Sequence, residues 1–348
     1  MLKILPRKTL HRINNLTNAI LRLQYFPNSW KNPIIIPIHK PGKDPFNPTN
    51  YRPISLLSSL SKVVEKIILN RLKPKVENQL IPYQFGFRQN HSTVVQLLRM
   101  TEMIKQGWSE SKDTGAVFLY VAKAFDKSLD QWTHLPTYST EYPGRSHQTS
   151  YFLHLRQKIQ NDTAILGTAK NSTTILNDIQ RHLNQLEEWL IKWKIKVNVE
   201  KSQAVFFSRK RNKPSAPTLD KQIIQWQNHT KYRGVILDQR LTFQPHIEHI
   251  KKNYRPAKAR LYPILNKDSK MPTNNKLLIY ISILRPLISY AVPIWGIAAT
   301  THISKLESFQ NITLRQISKM LWFLRNNNIS QDSPPPGLLQ KTSNIILQ

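Results

Sequence analysis

The sequence predicts an α/β (α+β) chain that closes in a helical C-terminal third. Two kinds of pattern carry that prediction. Short β-branched or aromatic runs, "IIIPI", Val117 to Val121 and "QAVFFS", read as strands, while apolar residues three and four apart mark amphipathic helices between them. From residue 241 to 324 the helical period dominates. With 348 residues, 40% of them hydrophobic, the chain can bury a substantial core and divide into two or more subdomains.

Leu10, Ile13, Leu16, Ile20 and Leu23 recur at helical spacing until "YFPNSWKNP" breaks the pattern. "IIIPIHKPGKDPFNPTNYRPISLL" then reads as a hairpin whose Pro-Gly tip is flanked by Lys40 and Lys43. Ser58 or Ser59 caps the next helix, whose stripe of Leu60, Val63, Val64, Ile67, Ile68 and Leu72 is expected to pack into core. "LIPYQFGFRQNHST" is an aromatic and basic loop leading into a helix from Ser92 to Gln106. Leu176, Ile179, Leu183, Leu186, Leu190 and Trp193 define a long amphipathic helix, and Ile195, Val197 and Val199 alternate as a strand. "RKRNKPSAP" reads as a basic turn between strands, with a nuclear-import signal as the alternative. Residues 127–160 follow neither a period of 2 nor one of 3.6, and the tail from Ser330 carries a triple proline and reads as disordered.

Fifty-one Lys and Arg against 20 Asp and Glu give a formal charge of +31, spread along the chain. Such self-repulsion calls for a polyanion, and nucleic acid is the expected partner. The absence of cysteine excludes disulfides, zinc knuckles and thiol chemistry, and the histidines lack metal-ligand spacing. Residues 277–299 approach the length of a membrane span, but Arg285, Pro286 and Pro293 interrupt them, so they read as a buried helical pair broken at proline. The N-terminus lacks a signal-peptide pattern. A nuclear or cytoplasmic protein, neither secreted nor membrane-bound, is the expectation.

Seven blocks in order, "IIPIHKPGKDP", "NYRPISLLSSLSKVVEKIILNRL", "QFGFRQNHST", "VAKAFDK", "DTAIL", "LEEWLIKWKIKVNVEKS" and "KYRGVILD", resemble the reverse transcriptases of jockey-like non-LTR retrotransposons. The resemblance implies a right-hand polymerase fold. Fingers and the start of the palm would occupy 1–110, the palm 111–240, a helical thumb 241–328 and a tail 329–348. It implies an RNA template and a DNA primer as partners. Lys40 and Arg52 match residues that reach the triphosphate of the incoming nucleotide, and Phe125 matches the aromatic gate against a ribose 2′-hydroxyl. Gln84, Phe85, Gly86, Phe87 and Arg88 match the segment lying along the template. Lys201 matches a lysine proposed to protonate the leaving pyrophosphate.

The family's chemistry is in-line phosphoryl transfer assisted by two divalent ions, normally Mg2+, about 3.5 to 4 Å apart and held by three aspartates. Aligned on that pattern, Tyr120 stands at the first aspartate, and Asn161 and Asp162 stand at the adjacent pair. Asp162 is then the remaining metal-ligand position, while Asp126 falls at a structural aspartate outside the metal pair. A neutral phenol does not replace a bridging carboxylate. Between Asp126 and Asn161 only residues 127–160 remain, too few for the strand, helix and "G-x-P-Q-G-S"-like template loop that the family carries there. The expectation is an internally deleted palm whose polymerase activity is impaired and whose Mg2+ is not productively bound. A non-catalytic basic nucleic-acid-binding protein and a decayed element remnant are the alternatives.

Overall fold

The computed structural model describes residues 5–23, 25–76, 91–120, 162–192, 197–210 and 213–318. The irregular stretch 127–160, Phe125, Asn161 and the segment Gln84 to Arg88 lie outside the described residues. The chain divides into two units, residues 1–82 and 83–348.

In the first unit α1 (Arg7–Leu23) and α2 (Asn28–Lys31) precede a hairpin of β1 (Ile34–His39) and β2 (Tyr51–Leu56), followed by α3 (Ser59–Val76). The expected hairpin forms, with Ile34 opposite Leu56 and His39 opposite Tyr51. Its tip is folded rather than loose. Gly42 takes φ +72°, Lys40 N–H donates to the Asn50 carbonyl (2.8 Å), and the Asn50 amide donates to the Asp44 carbonyl (2.9 Å). α1 and α3 pack together, and the Arg71 guanidinium reaches Asn18 Oδ1 at 3.2 Å. The apolar stripe of α3 is only partly core: Val64 is fully buried, whereas Val63, Ile67, Ile68 and Leu72 are half-buried. A unit of this size has little volume in which to bury a wide stripe.

The second unit opens with α4 (Thr93–Ser109), whose N-cap Ser92 accepts from Val95 N–H, as Ser before an apolar period predicts. β3 (Asp113–Tyr120), β4 (Asp162–Ala169), α5 (Ser172–Lys192), β5 (Gln203–Phe207) and the two-residue strands β6 (Thr218–Leu219), β7 (Gln222–Ile223) and β8 (Trp226–Gln227) follow. The main sheet runs β4-β3-β5-β8, antiparallel except for β5 against β8. Because β3 is central, seven of its eight residues are buried. Ala116 and Phe118, with Val205 and Phe207, face α4 and the C-terminal helices. Val117 and Leu119, with Ala204 and Phe206, face Ile175, Ile179 and Leu183 of α5. Gly115 and Gly167 are register partners beneath α5, and a Cβ on Gly115 would lie 2.7 Å from Ile179 Cδ1. Two glycines side by side let the helix sit directly on the backbone.

β9 (His229–Tyr232) and β10 (Val235–Asp238) form a second hairpin through Arg233 (φ +48°) and Gly234 (φ +86°), the two left-handed residues of a tight turn. Asp238 then fixes the entry to α6 (Gln244–Leu265): its carboxylate accepts from Thr242 N–H, Thr242 Oγ1 and Phe243 N–H at 2.8–3.0 Å. α7 (Thr273–Ile279) passes through a π turn (Tyr280–Leu284) into α8 (Arg285–Ser289), followed by α9 (Val292–Trp295) and α10 (Thr300–Ser318). Residues 241–318 are thus mostly helical, as the period predicts.

One expectation is sharpened and one corrected. The helical pair expected over 277–299 breaks at Tyr290 and Ala291 (φ +55°), just ahead of Pro293, whereas the rod continues through Pro286 by way of the π turn, with Arg285 N–H donating to Tyr280 O. Instead of a strand through Val199, Val197 makes a single bridge and Val199–Lys201 forms a 3₁₀ turn. The Asn198 side chain accepts from Lys201 N–H at 2.8 Å and curls the backbone there. Among the described residues no helix is long and apolar enough to cross a membrane.

Candidate active site

Tyr120 ends β3, where the central strand leaves the core, and its side chain is 38% exposed. The antiparallel register sets Asp162, the first residue of β4, directly opposite it. Two of the sequence-predicted positions therefore meet at one strand end.

Lys201 is brought to the same place by a turn clipped onto that end. Asn198 N–H donates to the Tyr120 carbonyl (2.8 Å), and Tyr120 N–H donates to Ser202 Oγ (3.2 Å). Ser202 Oγ in turn donates to the Asn198 carbonyl (2.9 Å). The result is that Lys201 Nζ lies 5.2 Å from the centre of the Tyr120 ring, a cation–π contact.

β9 closes the other side. Thr230 Oγ1 donates to Gln203 Oε1 (2.7 Å), and Phe118 and Tyr232 pack ring to ring (5.0 Å). Between these elements lies a hollow of about 60 Å3, lined by Phe118, Leu119, Tyr120, Lys201, Gln203, Thr230, Lys231 and Tyr232. The β9–β10 turn is held from the helical part by Tyr290, whose hydroxyl donates to the Arg233 carbonyl (2.7 Å). Its ring lies 3.0 Å from where a Gly234 Cβ would be.

Behind the hairpin, Lys231 Nζ stands 3.2 Å from His249 Nε2, and His246 Nδ1 accepts from Ile236 N–H. Burial, aided by His249 and Lys231, pushes the His246 imidazole down to about 4. His249 is shifted the same way by burial, Lys231 and Lys252.

Lys40 and Arg52 stand on the hairpin of the first unit, Arg52 opposite Ile38 and Lys40 at the folded tip. Sequence reasoning missed Asn198, Ser202, Gln203, Thr230 and Lys231. The first two flank Lys201 in "NVEKS", and Lys231 opens "KYRGVILD", so the matched blocks already contained three of them. Among the described residues no group of three or more His, Cys, Asp or Glu could hold a metal ion.

A family model described as reverse transcriptase (RNA-dependent DNA polymerase) matches residues 38–139. The chain is 33% identical, over 95% of its length, to "Probable RNA-directed DNA polymerase from transposon X-element" of Drosophila melanogaster. Two further relatives from that fly are the RNA-directed DNA polymerase from mobile element jockey (29% over 99%) and "Probable RNA-directed DNA polymerase from transposon BS" (30% over 95%). The chain spans 42 to 44% of the length of these relatives. The alignments run over 384, 400 and 389 positions, more than the 348 residues of the chain, so the relatives carry residues within the matched span that this chain lacks. The collinear blocks, the matching family model and these relatives agree: the chain carries a reverse transcriptase domain with homology to the RNA-directed DNA polymerases of jockey-like non-LTR retrotransposons.

Proposed function

We propose that this chain is a right-hand polymerase domain that has lost metal-assisted synthesis and keeps the capacity to bind nucleic acid. Template-directed DNA synthesis, on an RNA template from a DNA primer, is the ancestral activity. In this reading the first unit and α4 descend from fingers and early palm, the β4-β3-β5-β8 sheet from the palm, and α6 to α10 from the thumb. Lys40 and Arg52 keep their charge for triphosphate oxygens, and the segment Gln84 to Arg88 keeps aromatic and basic groups for a template strand. Phe125 keeps the gate position.

The observation that carries the reading is the Lys201 ammonium over the Tyr120 ring. Reverse transcriptases generally use a divalent metal, typically Mg2+, which takes hard anionic oxygen ligands. The residue types at the three aligned positions do not fit that ion. Tyr120 supplies a neutral phenol and Asn161 a neutral amide, leaving Asp162 as the one carboxylate of the three positions. With two of the three anionic ligands replaced by neutral groups, no catalytic step through a metal is derived for this chain.

Primer extension tests the reading. With oligo(dT) on poly(rA) and either Mg2+ or Mn2+, incorporation by the wild-type chain is expected to equal that of Asp162→Ala. Incorporation above that control overturns the loss of synthesis.

The excess length of the relatives' alignments favours a second reading, in which the chain is a decayed element copy with an internal deletion. Sequencing the transcript tests it, since that reading requires an mRNA that joins Asp126 to Asn161 through residues 127–160 alone.

A further inference from the structure

We infer that Phe46, at the tip of the β1–β2 hairpin, is a stacking platform for an unpaired base of a nucleic-acid strand. The inference rests on the reading that the chain keeps the capacity to bind nucleic acid, and it names the side chain that makes such binding sensitive to bases. Phe46 falls between the matched blocks "IIPIHKPGKDP" and "NYRPISLLSSLSKVVEKIILNRL", so the resemblance gives it no role.

Phe46 is 92% exposed, so the protein covers almost none of its ring. Its backbone is nonetheless pinned on both sides. Phe46 N–H donates to Asp44 Oδ1 (3.0 Å), and the Asp44 carbonyl accepts from the Asn50 side-chain amide (2.9 Å). The Tyr51 hydroxyl donates to the Pro45 carbonyl (2.9 Å), and Asn50 N–H donates to the Asn47 carbonyl (3.0 Å). Tyr51 is itself seated against His39, ring edge to ring face at 5.3 Å. Pro45 and Pro48 fix φ on either side of Phe46 and Asn47. Each residue from Asp44 to Asn47 is thus held through a backbone group, and the aromatic face is presented with little ordering left to be done on binding.

The charge around the ring selects the partner. The first unit has fourteen Lys and Arg against three Asp and Glu, and Lys43 and Arg52 are exposed on the hairpin itself. Asp44 is the one acid of the hairpin, and one of its carboxylate oxygens is taken by the Phe46 N–H. A ring set among cations suits a polyanion that also carries flat apolar groups, which describes an unpaired strand: the base stacks on Phe46 while its flanking phosphates meet the ammonium and guanidinium groups. A single stack is too little to hold a free nucleotide against the entropy lost on binding, so the base comes from a strand whose other phosphates lie along the same basic surface.

Fluorescence anisotropy with the full chain, at about 150 mM salt to screen distant charge, compares a labelled oligo(rA) strand with an abasic strand of the same length and charge. Phe46→Ala should weaken binding of oligo(rA) by about tenfold and leave the abasic strand unchanged. Phe46→Trp should bind as the wild-type chain does, whereas Phe46→Leu, apolar but without a π face, should behave like Phe46→Ala. Lys43→Gln should weaken both strands alike, because a phosphate contact is blind to the base. Circular dichroism should be the same for all four variants, since both side chains lie outside the core. An equal loss on the two strands in Phe46→Ala, full affinity in Phe46→Leu, or unchanged affinity in Phe46→Ala or Lys43→Gln overturns the inference. Binding of neither strand by the wild-type chain would overturn the retained nucleic-acid binding itself, so the two failures are distinguishable.

Discussion

His246 lies 2% exposed on α6, with its ring edge-on to Trp295 and cationic neighbours in Lys231 and His249. Its folded pKa of about 4 is below the ordinary value near 6.5. The unfolded chain therefore takes up a proton below about pH 6.5 that the folded chain refuses until about pH 4. Stability from this residue is complete above pH 6.5 and is lost as pH falls through that window, by up to about 3 kcal/mol. Urea unfolding at pH 7, 5.5 and 4.5 should show the decline, and His246→Gln should flatten it; equal slopes for the two proteins would refute the assignment. Lys276 shows a different solution to burial. At 1% exposure it donates to the carbonyls of Asn266 (2.7 Å) and Ser269 (3.2 Å), so the ammonium organises the turn between α6 and α7. Neither residue was marked by its sequence context, because burial is a property of what packs over a side chain. The strand that ends at Tyr120 was legible, whereas the contact of Lys201 with the Tyr120 ring was not, since Lys201 was expected only as an acid for pyrophosphate.

Among the elements, the long amphipathic helix and the buried strand were the most legible, since seven buried residues of β3 and the 3–4 spacing of α5 state their faces directly. What period cannot state is how closely they approach. Gly115 and Gly167 decide that, and Gly115→Val should cost about 1 to 3 kcal/mol through overpacking against Ile175 and Ile179. Ile179→Val removes the Cδ1 that lies nearest and should recover part of the loss in a double-mutant cycle by chemical denaturation. Additive losses would show that the helix shifts instead. One element was misread and one only partly read, each for a local reason. Ile195, Val197 and Val199 alternate like a strand, but the Asn198 cap turns the backbone, and the turn is what delivers Lys201 to Tyr120. Pro286 looks like a helix breaker, but a π turn one residue before it carries the rod through.

For the whole molecule, a charge of +31 makes nucleic-acid affinity a counterion-release problem. Binding of single-stranded RNA, followed by fluorescence anisotropy, should weaken by more than about tenfold between roughly 50 and 200 mM salt. Affinity indifferent to salt would contradict a backbone-neutralising surface. Both apolar cores, on either face of the β4-β3-β5-β8 sheet, are drawn from the second unit, while the first contributes an apolar hairpin with Ile34 71% and Ile35 60% exposed. By itself the sequence determined the reverse transcriptase resemblance, most of the order of elements and the charge, because these follow from residue type and spacing along one chain. Only the tertiary structure decided that Lys201 sits over Tyr120, that Thr230 and Lys231 close the same hollow, and that Tyr290 braces them. Those contacts join residues about 57 to 114 positions apart, and strand register and helix docking, rather than any local pattern, bring such residues together.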